Sequence, residues 1–297
     1  MIQHILTVVL GAIIVANGNF TLGIFVLLIS YKTIIDSRIV LFVDNIFKIK
    51  NLNIYVNRIS DVYLTDQDKE LELSEELLDF KISIENLSFS YFGTTDIVFK
   101  NVSLCIPFGG SVAITGPSGC GKSSLLNLIL GIENNYQGYI KIGSFDIKEL
   151  GCNNVRKYIS SVSQEDNVFS GSISDNISFF DSDPNHSFIE ECARNACVFD
   201  EIMKFPMKFN TLIGDMGTVL SGGQKQRILI ARALYARPKI LIMDEATSHL
   251  DTFKENQINT IMKNLNITRI IVAHRPETIN SAEKVYLLSE NGLKHIK

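Results

Sequence analysis

The run Gly116-Pro117-Ser118-Gly119-Cys120-Gly121-Lys122-Ser123 fits the pattern G-x-x-x-x-G-K-[ST]. An apolar, β-rich stretch precedes it, Ser111-Val112-Ala113-Ile114-Thr115, and reads as a buried strand. Ser124-Leu125-Leu126-Asn127-Leu128-Ile129-Leu130 follows, read as a helix that stops at Gly131. Strand, glycine loop and helix in this order make a phosphate cradle. The glycines let backbone N–H groups approach phosphate oxygens, and the helix start adds partial positive charge. Lys122 brings a full charge for the β and γ phosphates, and the hydroxyl of Ser123 is suited to Mg²⁺. Gly116, Pro117, Ser118, Gly119, Cys120, Gly121, Lys122, Ser123 and Ser124 are therefore the expected ATP-binding residues.

A second element answers the first. Ile240-Leu241-Ile242-Met243 is an apolar strand that ends on Asp244-Glu245. A carboxylate at a strand's end can hold Mg²⁺ through water, and the next one stands where it can polarise an attacking water. Asp244 is the expected metal residue and Glu245 the expected catalytic base.

The rest of residues 81–297 alternates strands and helices. Ile82-Ser83-Ile84, Leu87-Ser88-Phe89, Val102–Ile106, Tyr139–Gly143 and Ile159–Val162 read as strands. Ser174 to Lys208 is helical in composition, and Arg269-Ile270-Ile271-Val272 is a further strand. The pattern predicts an α/β fold with a parallel core sheet, an antiparallel β layer and a helical insert. The net charge of −4 gives no reason to expect a nucleic-acid partner. Five cysteines without a C-x-x-C pair suit free thiols in a reducing compartment.

The start of the chain differs. Met1 to Tyr31 contains no Asp, Glu, Lys or Arg. Ile2–Ala16 is apolar, Asn17-Gly18-Asn19 signals a turn, and the chain is apolar again from Phe20. This predicts an α-helical transmembrane hairpin. Lys32, Arg38, Lys48 and Lys50 after its second arm put that end in the cytoplasm. Apolar residues at three and four spacing over Ile34–Tyr55 predict an amphipathic continuation. Residues 61–80 are acidic and read as a linker. The expected domains are thus residues 1–60, 61–80 and 81–297, in a multi-pass membrane protein with a cytoplasmic ATPase domain.

Leu220-Ser221-Gly222-Gly223-Gln224-Lys225-Gln226-Arg227 is the most specific string in the chain. It resembles the signature sequence of the ATP-binding cassette (ABC) ATPases, and residues 81–297 resemble the nucleotide-binding domain of an ABC transporter. The resemblance implies a P-loop NTPase of ABC type that hydrolyses ATP in a head-to-tail dimer. There Ser221, Gly222, Gly223 and Gln224 would face the ATP held by the partner's phosphate loop. It also implies that Gln164 senses Mg²⁺ and water, that His274 touches the γ-phosphate, and that Asp251, in Ser248-His249-Leu250-Asp251, lies at the dimer interface. Tyr91 matches the aromatic that stacks on adenine, with Phe92 beside it as the other candidate. Gly214-Asp215-Met216-Gly217 resembles a loop that contacts membrane helices.

Three further strings narrow the likeness. Asn57–Thr65, Gly143-Ser144-Phe145-Asp146-Ile147 and Val168–Ile177 resemble the colicin V type of bacteriocin and microcin exporters, from the last membrane hairpin to the C-terminus. That family adds a cysteine peptidase and four more membrane helices, which this sequence lacks, so leader cleavage is not assigned to it. The implied function is energy supply for export of a bacteriocin-like peptide. The missing membrane helices, or a full-length exporter chain, are the implied partner. A drug or lipid exporter, or an ATP-binding fragment without transport, share the same ATPase motifs.

Overall fold

A computed structural model of the chain describes residues 2–18, 21–64, 79–91, 93, 96–214, 220–246, 250, 252–273 and 275–297. The chain divides into two compact units, Met1–Gln67 and Asp68–Lys297.

The first unit consists of α1 (Ile2–Ala16) and α2 (Leu22–Tyr63). Thr21 caps α2 by accepting from the backbone N–H of Ile24. Gly11 lets the two helices approach, since a Cβ there would overlap the Phe25 ring. The hairpin expected from the sequence is met in its helices but not in span length. Among the described residues no helix is long and apolar enough to cross a membrane. At 15 residues α1 reaches about 22 Å, against a hydrocarbon core of about 30 Å. The apolar lead of α2 soon meets Lys32, Asp36 and Arg38, the first two paired at 2.7 Å. The expected extension is helical, and Ile39, Val40, Leu41, Phe42 and Val43 within it are all exposed.

The second unit opens with β1 (Ile82–Ser90), β2 (Ile97–Ile106) and β3 (Ser111–Thr115). Then come α3 (Lys122–Ile129), β4 (Tyr136–Ile142), β5 (Phe145–Asp146), α4 (Ile147–Leu150), α5 (Cys152–Tyr158) and β6 (Ile159–Ser163). The helical insert holds β7 (Gly171–Ser172), α6 (Ile173–Ser178), α7 (His186–Asn195), α8 (Phe199–Ile202) and β8 (Leu212–Ile213). The chain closes with α9 (Gly222–Tyr235), β9 (Ile240–Asp244), α10 (Thr252–Asn264), β10 (Thr268–Val272), α11 (Pro276–Ser281), β11 (Lys284–Ser289) and β12 (Gly292–His295).

One sheet has the order β2-β1-β4-β5 and is antiparallel. A second has the order β12-β11-β3-β10-β9-β6, parallel from β11 to β6, and β7 and β8 form a small antiparallel pair. The central strands β3, β9 and β10 are buried along almost their whole length because both their faces are covered. Their side chains alternate between two cores. Ile240, Ile242, Ile270 and Val272 join the antiparallel sheet and α3 in one core, with Ile82, Phe99 and Leu125. Leu241, Met243 and Ile271 join the helical insert in the other, with Ile173, Ile189 and Ile228. Each such side chain contributes about 1.5–3 kcal/mol through burial.

Candidate nucleotide site

The parallel sheet gathers the motifs on one edge. Ser163, Asp244, Val272 and Ile114 form a single row across β6, β9, β10 and β3, at or next to the strands' C-terminal ends. In open α/β sheets that edge is where ligands bind. The loop after β3 is the glycine-rich loop, and the residue after β6 is Gln164.

Two glycines of the loop are required by space as well as by conformation. A Cβ at Gly116 would stand 2.6 Å from the carbonyl oxygen of Leu288 and 2.8 Å from the Cys120 Sγ. Gly121 has φ +93°, and a Cβ there would come 2.5 Å from Val98 Cγ1. It is followed at once by α3, so the first N–H groups of that helix open into the loop. Lys122 is buried, and its Nζ donates to the carbonyl oxygens of Gly116 and Pro117, both at 2.9 Å. The ammonium is thereby held across the mouth of the loop. Cys120 is buried beneath it, with Sγ 4.0 Å from Nζ.

Ser123 and Asp244, separated by 121 positions in sequence, meet here. The Ser123 hydroxyl donates to Asp244 Oδ2 at 3.2 Å. Glu245 follows in the left-handed region, φ +54°, a conformation that costs a non-glycine residue on the order of 1–3 kcal/mol. Its N–H donates to the Val272 carbonyl at 3.0 Å, which fixes the turn that throws its side chain off the strand end. Ser123, Asp244 and Glu245 line two neighbouring clefts. Tyr91, Ser118, Gly119 and Lys122 complete one of them. Gln164, exposed at the end of β6, helps line the other, a cavity of about 330 Å³.

Tyr91 enters from the antiparallel sheet. Its ring meets Phe89 edge-on at 4.9 Å between centroids, and its hydroxyl is 2.8 Å from Ser124 Oγ. Tyr91 is 46% exposed, and an exposed aromatic beside the loop suits stacking on a base.

The signature string lies at the start of α9. Ser221 caps this helix by accepting from the N–H of Gln224 at 3.2 Å, while Gln224 Oε1 accepts from the N–H of Ser221 at 2.9 Å. Ser221 and Gly222 are exposed and Gly223 half-buried. His274, Asp251, Ser248 and His249 lie outside the described residues, as do Phe92, Asp215, Met216 and Gly217.

Residues 99–248, half of the chain, match the ABC transporter family. The chain belongs to the ABC transporter family. Its match to two Escherichia coli proteins extends well beyond the residues that the family model covers. They are the probable microcin-H47 secretion/processing ATP-binding protein and the colicin V secretion/processing ATP-binding protein. Each is 39% identical over 279 residues, 93% of this chain and 40% of the relative. Among solved structures, a bacterial Atm1-family ABC exporter with ATP bound superposes with a TM-score of 0.74 at 28% identity. The match covers 93% of this chain and 49% of that one. The chain thus spans about 40% of the length of the curated relatives named here.

One feature of this ABC chain had no signal in the sequence. Arg227, one turn into α9, forms a bidentate ion pair with Glu201 of α8 at 2.6 and 2.9 Å. The glutamate stands outside every motif, 26 positions away, so only the packing of the insert reveals the pair.

Proposed function

We propose that this chain is the ATP-hydrolysing part of an ABC exporter that moves a bacteriocin- or microcin-like peptide across a membrane. The observation that carries the ATPase reading is the 3.2 Å contact between Ser123 and Asp244. It brings the residue after the loop lysine and the strand-end carboxylate within reach of one cation. Serine and carboxylate oxygens are the hard donors that Mg²⁺ takes. Among the described residues no group of three His, Cys, Asp or Glu could hold a metal by itself. Mg²⁺ is commonly held by one or two carboxylates together with substrate phosphates.

In this reading the glycine-loop N–H groups and Lys122 bind the β and γ phosphates, and Tyr91 stacks on the base. Mg²⁺, when bound at Ser123 and Asp244, neutralises charge on the phosphates. Glu245 orients the attacking water and accepts its proton on the carboxylate. Gln164 lies beside it in the same cleft and helps to aim the water. By family resemblance His274 contacts the γ-phosphate and Asp251 crosses to a second copy. The exposed turn Ser221-Gly222-Gly223 then faces the ATP of that copy, so two sites form in a homodimer.

The peptide substrate is supported by the long match to the two secretion proteins, which takes in 93% of the chain. The division into a helical hairpin with its extension, an acidic linker and a cassette at 1–60, 61–80 and 81–297 follows the same reading. The hairpin would sit at the membrane with helices supplied by further chain or by a full-length exporter, and the cassette would lie in the cytoplasm. The test is ATP turnover by the chain in lipid vesicles, with a microcin-like peptide, a lipid or a drug added. Turnover with Mg²⁺ that rises with the peptide alone supports the proposal. Loss of metal-dependent turnover sinks the ATPase reading, and stimulation by lipid or drug alone sinks the substrate.

A further inference from the structure

The first turn of α9 is intrinsically weak, because it opens with two glycines, each costing about 1 kcal/mol relative to alanine in a helix. Arg227 reinforces it from one turn further on. Its Nε donates to the Gly223 carbonyl at 3.0 Å, inside the signature string itself. Its Nη1 donates to the Cys197 carbonyl at 2.7 Å, at a residue held at φ +55°. Nη1 and Nη2 pair with the two Glu201 oxygens at 2.6 and 2.9 Å. The Arg227 side chain is only 7% exposed, and that of Glu201 27%. One planar guanidinium therefore makes four hydrogen bonds, one to the glycine turn, one to Cys197 ahead of α8 and two to Glu201 within it. A lysine, with a single nitrogen on a flexible stem, could not reproduce this fork.

We propose that Glu201 is a positioning residue for ATP hydrolysis: through Arg227 it fixes the direction of the glycine turn that faces the partner's nucleotide. This rests on the dimeric ATPase reading above. Glu201 is not among the residues that line the two clefts. Its effect is on where the Gly222 and Gly223 N–H groups point when two copies close. Misalignment there costs little in binding ATP to the chain's own loop and much in reaching the closed, hydrolysing state.

The experiment uses the full chain and three variants, Glu201→Ala, Glu201→Gln and Arg227→Lys. ATP affinity is read with a fluorescent ATP analogue, turnover by phosphate release, and ATP-driven self-association in a Glu245→Gln background. The expected result is affinity within about twofold of the parent and kcat at least about tenfold lower in Glu201→Ala and Arg227→Lys, with self-association lost. Glu201→Gln, which keeps one acceptor oxygen for Arg227, falls between. Unchanged kcat in Glu201→Ala or Glu201→Gln overturns the inference. So does a fall of affinity, kcat and thermal midpoint together, since that is a folding defect. If the parent chain neither binds nor hydrolyses ATP, the functional reading fails and takes this inference with it.

Discussion

The phosphate loop and the signature turn both place backbone N–H groups at a helix start, yet they are finished differently. The loop is closed on its own chain. Lys122 is buried on two carbonyls, Ser123 meets Asp244, and Tyr91 reaches Ser124. The signature turn is capped within its own helix but exposes Ser221 and Gly222 to solvent. The first is a site in one molecule. In the proposed dimer the second is a braced surface that acquires its ligand from the other molecule. ATP affinity should therefore depend on the loop's own contacts, and turnover on Glu245 and the exposed turn.

The sharpest break comes from the strand-end glutamate. Glu245→Gln should lower kcat by about 10²–10⁴-fold while ATP affinity holds, measured by phosphate release and equilibrium binding. Undiminished turnover would remove Glu245 from the mechanism. Lys122→Ala should act on the other quantity. Loss of a charge-assisted hydrogen bond, about 1.5–3 kcal/mol, weakens ATP binding by about 10- to 150-fold in the same titration. If it spared affinity and cut only kcat, the contrast between the two regions would collapse.

On the exposed side, Ser221→Ala should leave affinity in place and reduce turnover. The lost cap also costs about 0.5–2 kcal/mol of stability, visible in chemical denaturation. Equal losses of affinity and turnover would tie the turn to its own chain's nucleotide.

The smallest effect is a pH signature of the brace. Burial by itself would raise the pKa of Glu201, but its hydrogen bonds and the Arg227 charge outweigh this and hold it below the usual glutamate range. A depressed carboxylate pKa contributes stability that is fully present above the unfolded pKa. That contribution is lost as pH falls through the folded pKa. Glu201→Gln should therefore flatten the acid limb of a denaturation midpoint against pH. The chain's behaviour at neutral pH would keep the same slope. An unaltered acid limb would mean that the pair contributes nothing measurable.

Much of this site was legible in the chain because its parts are local. A strand, a glycine loop and a helix are contiguous, so 111–130 could be read as a unit, and the apolar run ending in Asp244-Glu245 likewise. The signature turn was equally local. The helical start of the chain was readable from its lack of charge, but the length of an uninterrupted apolar span was not, because Lys32, Asp36 and Arg38 sit inside the same helix. The short strands β7 and β8 and the closing pair β11 and β12 carried too little periodicity to be separated from their surroundings.

The sequence by itself determined which groups are available to hold phosphates, cation and water, since each motif needs only neighbouring residues to exist. Tertiary structure decided which of them meet. Ser123 finds Asp244 because β3 and β9 flank β10 in parallel register. Arg227 finds Glu201 because α6 and α7 of the insert pack on α9, and α8 packs on α7. Hydrogen bonds act over about 3 Å, whereas these partners lie 121 and 26 positions apart along the chain, a separation that no local pattern encodes.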